Sequence, residues 1–130
     1  MKKLFALIIE DDKRLGTIFA QALRAAEFDI ELVRDGHLAL ARLANTNPAV
    51  VVLDLHLPHV SGTDILHQIR ADKRLASTRI ILATTDPIMA ETLQEEADLV
   101  LIKPISFNQL RDLATRLRPP DVVAENDKGY

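Results

Sequence analysis

Apolar residues in this chain fall into two alternating patterns. Short apolar runs lie at Leu4 to Ile9, Ile30 to Val33, Ala49 to Leu53, Ile80 to Ala83 and Leu99 to Ile102. Between and after them, apolar residues recur at helical spacing. Leu15, Ile18, Phe19, Ala22, Leu23 and Ala26 form one amphipathic stripe. Leu40, Leu43 and Ala44 form a second, Ile65, Leu66 and Ile69 a third, and Phe107, Leu110, Leu113, Ala114 and Leu117 a last one. Polar punctuation agrees with these boundaries. Asp35 can cap the second helix, and Asn45 to Pro48 is turn chemistry. Pro58 and Gly62 mark a loop, Asp86-Pro87 provides a cap and a tolerated first-turn proline, and Ser106 with Gln109 fits a capping box. Ile88, Met89 and Leu93 read as core residues of the fourth helix, part of which is expected to be exposed for a partner.

Strands alternating with helices predict a parallel sheet with helices on both faces. Right-handed crossovers leave few topologies. The predicted fold is α/β: a three-layer, doubly wound, five-stranded parallel sheet of order 2-1-3-4-5. The winding reverses between the first and third strands, and ligands of such sheets bind outside the strand carboxyl ends at that point.

With 130 residues, 48% hydrophobic and 27% charged, the chain suits one globular domain. We assign it to residues 1–118, with 119–130 a polar, aperiodic tail or the start of a linker. The net charge of -3 and the lack of a clustered basic face argue against direct nucleic-acid binding. The absence of cysteine excludes disulfides, thiolate metal sites and thiol catalysis, and fits a reducing compartment. Lys2 and Lys3 before an apolar run imitate a signal peptide, but the run has six residues and stops at acids, too short for a signal or a membrane span. A cytoplasmic location is expected.

The candidate chemistry sits at the strand ends. The run Val50-Val51-Val52-Leu53 delivers Asp54, and Leu7-Ile8-Ile9 delivers Glu10-Asp11-Asp12. The predicted topology crowds Glu10, Asp11 and Asp54 together. Like charges at close range disfavour ionisation unless a cation neutralises them. Carboxylates with the backbone carbonyl of His56 form a hard-oxygen site suited to Mg2+. Thr84 and Lys103 end the fourth and fifth strands at the same edge, where a hydroxyl and an ammonium can bind phosphoryl oxygens. Asp54 is then the candidate nucleophile. Asp12 reads as a helix cap, and His37 and His67 as exposed helix residues. His56 and His59, three apart with Pro58 between them, are not read as a transition-metal pair.

These motifs resemble the receiver domain of bacterial two-component response regulators. The resemblance rests on Ile8-Ile9-Glu10-Asp11-Asp12, Val52-Leu53-Asp54-Leu55-His56-Leu57-Pro58, Ser61-Gly62, Leu82-Ala83-Thr84-Thr85 and Lys103-Pro104, in family order across residues 4–118. It implies a flavodoxin-like fold, and a phosphoacceptor rather than a turnover enzyme. Asp54 would take a phosphoryl group from a sensor histidine kinase or phosphotransfer protein, and lose it slowly by hydrolysis. It further implies Mg2+ held directly by Asp11 and largely through water by Glu10, a cis Lys103-Pro104 bond, and phosphoryl contacts from Thr84 and Lys103. His56 and Asp86 would lie over the phosphoryl pocket and tune water attack. The output would be a switch of the α4-β5-α5 face toward a partner or a second copy.

Four positions depart from the family pattern. Val100 stands where an aromatic is usual, Thr85 follows the switch threonine in place of a smaller residue, and Glu96-Ala97-Asp98 replaces Gly-Ala-Asp. The Thr84–Lys103 separation of 19 (103 − 84) is short, which implies a trimmed fourth helix or its loops. All four lie on the output side, so a phosphorylation-independent docking or dimerisation module is one alternative. Another is an aspartyl-phosphate phosphatase of the haloacid-dehalogenase type, which would want a second Asp where His56 stands. P-loop and dinucleotide enzymes are disfavoured, because neither GxxxxGK nor GxGxxG occurs.

Overall fold

Every residue of the run Val50–Asp54 is buried, because this strand lies at the centre of a sheet covered on both faces. The computed structural model describes residues 3–119. The elements are β1 (Leu4–Ile9), α1 (Lys13–Ala25), β2 (Phe28–Val33), α2 (Gly36–Ala44), β3 (Val50–Asp54) and α3 (Gly62–Ala71). A short 3-10 turn (Lys73–Leu75) precedes β4 (Arg79–Thr84), α4 (Pro87–Leu93), β5 (Leu99–Ile102) and α5 (Phe107–Leu117). The strands pair in parallel in the order β2-β1-β3-β4-β5, as the pattern predicts. The tail expected over 119–130 lies, beyond Pro119, outside the described residues. No helix of the described residues is long and apolar enough to cross a membrane.

Side-chain alternation divides the apolar strand residues between two cores. Ala6, Ile8, Val50, Val52, Ile81, Ala83 and Leu101 face α1 and α5, where Phe19, Leu23, Leu110 and Ala114 cover them. Leu7, Ile9, Val51, Leu53, Ile80 and Leu82 face α2, α3 and α4, where Leu43, Ile65, Leu66, Ile69 and Leu93 pack.

The helix starts follow the capping residues. Asp12, Asp35, Asp86 and Ser106 accept backbone N–H groups at the heads of α1, α2, α4 and α5. Ser61 does the same for α3. Two expectations change. β2 begins at Phe28 rather than Ile30, because Phe28 is buried and registers with Leu4 at the start of β1. Ile88 does not join the core: it is 77% exposed, while Met89 and Leu93 face the sheet. Asp86 and Pro87 set the phase of α4, and the buried side then carries the i, i+4 pair 89 and 93. With seven residues, α4 is the shortest of the α-helices described, as the short Thr84–Lys103 spacing implies.

Candidate functional site

The parallel register assembles the site. Ile9 pairs with Leu53, so Glu10 and Asp54 stand side by side at the carboxyl ends of β1 and β3. Thr84 pairs with Ile102, so Lys103 follows one residue past that pairing on β5. Alternation places Asp54 and Lys103 on the α1/α5 side, with Val50, Val52, Leu99 and Leu101 behind them.

Glu10 and Asp54 are buried, at 1% and 2% exposure, and Asp11 is exposed. One carboxylate oxygen from each of the three lies within 4.8 Å of the other two. Lys103 Nζ reaches between them, 3.0 Å from Glu10 Oε1 and 3.3 Å from Asp54 Oδ1. Backbone donors complete part of the set. His56 N–H donates to Asp54 Oδ1 at 3.1 Å, and Asp12 N–H to Glu10 Oε2 at 3.3 Å. Glu10 Oε1 is buried with no directed hydrogen bond; the Lys103 contact there is a charge pair.

Burial pushes the Glu10 carboxyl up to about 7; Lys103 opposes this, and the Asp54 charge adds to it. Burial alone would lower the Lys103 ammonium, but contact with Glu10 and Asp54 holds it above the usual lysine range. A clustered, all-oxygen donor set with a buried oxygen lacking a donor fits a hard divalent cation.

Gly62, at the first turn of α3, makes the close approach that holds the Asp54 end. A Cβ there would lie 2.4 Å from the Asp54 carbonyl oxygen and 2.5 Å from Leu55 Cα. Gly62 N–H donates to the Leu55 carbonyl at 3.2 Å. The Lys103-Pro104 bond is cis.

The fold thus brings Glu10, Asp11, Asp54 and Lys103 to one point. Thr84 is fully buried at the same edge, but its hydroxyl turns elsewhere. Thr84 Oγ1 accepts from Asp86 N–H at 3.0 Å and lies 3.3 Å from His56 Nε2. The sequence reading missed this His56–Thr84 contact. Two polar residues at adjacent strand ends, Thr84 closing β4 and His56 two positions past β3, were the available signal. His56 and His59 do not converge, since His59 stacks on His37 with ring centroids 5.9 Å apart. Asp12 caps α1, accepting from Leu15 N–H at 2.9 Å. His67 is exposed and pairs with Glu96 at 2.9 Å.

A doubly wound parallel sheet with an acidic, lysine-bridged pocket at its switch point defines a class of protein, and comparison with known proteins agrees. The family model for the response regulator receiver domain matches residues 6–115. The chain belongs to that family. It is 33% identical over 114 residues to the transcriptional regulatory protein TrcR of Mycobacterium tuberculosis, covering 86% of this chain and 43% of that protein. It is 34% identical over 112 residues to the sensory transduction protein RegX3 of the same species, covering 86% and 48%. The chain therefore spans about half the length of the curated relatives it matches. The chemotaxis response regulator CheY4 of Vibrio cholerae shares the fold, with a TM-score of 0.81 at 22% identity, covering 90% of this chain and all of that one.

Proposed function

We propose that Asp54 is the phosphoacceptor of this receiver domain, and that a sensor histidine kinase or a phosphotransfer protein is the donor. The observation that carries this reading is the convergence of Lys103 on Glu10 and Asp54, with Asp11 within ligand distance. An Asp54 carboxylate oxygen attacks phosphorus, the bond from phosphorus to the donor nitrogen breaks, and the donor imidazole leaves with that electron pair. Lys103 holds phosphoryl oxygens by charge. Thr84 donates its hydroxyl once it has turned from His56. Asp11, Asp54, the His56 carbonyl and Glu10 would hold Mg2+. That ion supplies charge neutralisation at the phosphoryl oxygens when bound. Slow hydrolysis of the acyl phosphate resets the domain, and His56 and Asp86 tune water attack.

Signalling passes through the α4-β5-α5 face, which the drawing of Thr84 and Lys103 toward the phosphoryl group biases between two states. Its reader is a partner protein or a second copy. The domain works in the cytoplasm, and the described surface is not itself a nucleic-acid reader. One experiment tests the chemistry. Incubation with acetyl phosphate and Mg2+ adds one phosphoryl mass to the wild type and none to Asp54→Asn. No gain on either protein overturns the assignment.

The seven-residue α4 and Val100 favour a second reading, docking independent of phosphorylation. Self-association that is identical with and without beryllofluoride supports that alternative.

A further inference from the structure

We propose that the groove between α4 and β5 receives a basic amphipathic segment of a partner protein. Apolar side chains enter the groove, and Lys or Arg lies beside Glu91 and Glu95. This inference rests on the reading of α4-β5-α5 as the signalling face and names the chemistry of what binds there.

The groove holds ≈ 520 Å3 and is lined by Pro87, Ala90, Val100 and Ile102 on its apolar side and by Glu91, Gln94 and Glu95 on its polar side. Two features make it a docking surface rather than a gap in packing. The first is exposed apolar area. Ile102, on its wall, is 44% exposed, and Ile88, one turn of α4 away, is 77% exposed. Val100 registers with Leu82, packs on the core beneath and also lines the groove.

The second feature is charge. Between Arg79 and Lys103 the chain carries Asp86, Glu91, Glu95, Glu96 and Asp98, and no Lys or Arg. Neighbours answer part of that charge. Asp98 pairs with Arg70 and Arg79, both at 3.0 Å, and Glu96 lies in contact with the His67 ring. Asp86 is spent on the α4 cap. Lys103 turns its ammonium inward to Glu10 and Asp54. Glu91 and Glu95 are exposed and have no ion pair among the described residues. A groove with one apolar wall and two free carboxylates on the opposite lip complements a segment with apolar anchors and cationic flanks.

The test uses a synthetic helical peptide with leucine on one face and lysine on the other, and a control with glutamate in place of lysine. Fluorescence anisotropy on the intact chain is expected to show binding of the lysine peptide alone. Amide shifts should centre on Ala90, Glu91, Gln94, Val100 and Ile102. Charge reversal in Glu91→Lys/Glu95→Lys, at exposed positions of α4 and of the turn that follows it, where folding is not at stake, is expected to weaken binding by about tenfold or more. Equal affinity of this variant, equal binding of the glutamate peptide, or shifts centred elsewhere overturns the proposal. Self-association in sedimentation velocity that the double variant abolishes assigns the groove to a second copy, and also overturns it. Acetyl phosphate labelling of the same samples separates the two readings. Labelled protein that ignores the peptide refutes only the groove assignment; unlabelled protein that binds it refutes only the phosphoryl chemistry.

Discussion

Lys103 Nζ lies 3.0 Å from Glu10 Oε1, with the lysine side chain 14% exposed and the glutamate 1%. Elements ninety-three positions apart in the chain (103 − 10) meet there, because β1 and β5 end at one edge of the sheet. Lys103 therefore occupies the electrostatic place that a divalent cation would share. Substituting Lys103 with Met is expected to raise Mg2+ affinity by about tenfold, through loss of a competing charge at ion-pair distance. The same change removes the point charge from the phosphoryl oxygens, so acetyl phosphate labelling of Asp54 is expected to fall sharply. Isothermal titration and intact mass decide this. Unchanged Mg2+ affinity would show that Lys103 and the cation do not compete.

Glu10 sets a pH dependence. Its folded pKa, about 7, lies above the 4.5 of a free glutamate side chain. A carboxyl raised on folding holds its proton longer in the folded state. Its contribution to stability is present below about 4.5 and is lost as pH rises through about 7. Thermal melts in EDTA are expected to show a lower melting temperature at pH 8 than at pH 5.5 (roughly the two sides of that window). Mg2+ needs the ionised form, so its apparent affinity is expected to rise over the same range and then level off. Substituting Glu10 with Gln should flatten both profiles. Mg2+ affinity that is flat across the window in the wild type contradicts the argument.

His56 holds Thr84 in this structure. For Thr84 to reach a phosphoryl oxygen on Asp54, the 3.3 Å contact with His56 Nε2 must be given up. A neutral side-chain hydrogen bond is worth about 1 kcal/mol, or about fivefold in an equilibrium. Substituting His56 with Leu is expected to strengthen beryllofluoride binding by up to about that factor. His56→Gln, which keeps an acceptor, should restore the wild-type value. Weaker binding in the Leu variant would instead assign His56 to the phosphorylated state.

Gly62 tests the close approach behind Asp54. The atoms that a Cβ would strike are backbone, which cannot rotate away as a flexible side chain would. Gly62→Ala is expected to cost about 2 kcal/mol or more of unfolding free energy, read by urea denaturation. A loss below about 0.5 kcal/mol, within the range of ordinary surface changes, would mean that the loop shifts freely.

Much of the fold was legible because its signals are local. Unbroken apolar runs at β1, β3 and β4 can only be strands covered on both sides, and the caps Asp12, Asp35, Asp86 and Ser106 sit where short polar side chains satisfy open N–H groups. Ile88 was misplaced because the phase of a seven-residue helix depends on the cap, not on its few apolar residues. The start of β2 was misplaced because Asp29 breaks the apolar run, while pairing with all of β1 extends the strand.

The chain alone determined the element order, the sheet topology and the identity of the acids at the strand ends, since burial and chirality leave few ways to wind these segments. Only the folded molecule decided which partners those side chains take. Lys103 bridges Glu10 and Asp54, Thr84 turns to His56, and Arg70 reaches across to Asp98. Such contacts join residues far apart in the chain. Their geometry depends on register and side-chain direction across several strands, which no local pattern of polar and apolar residues encodes.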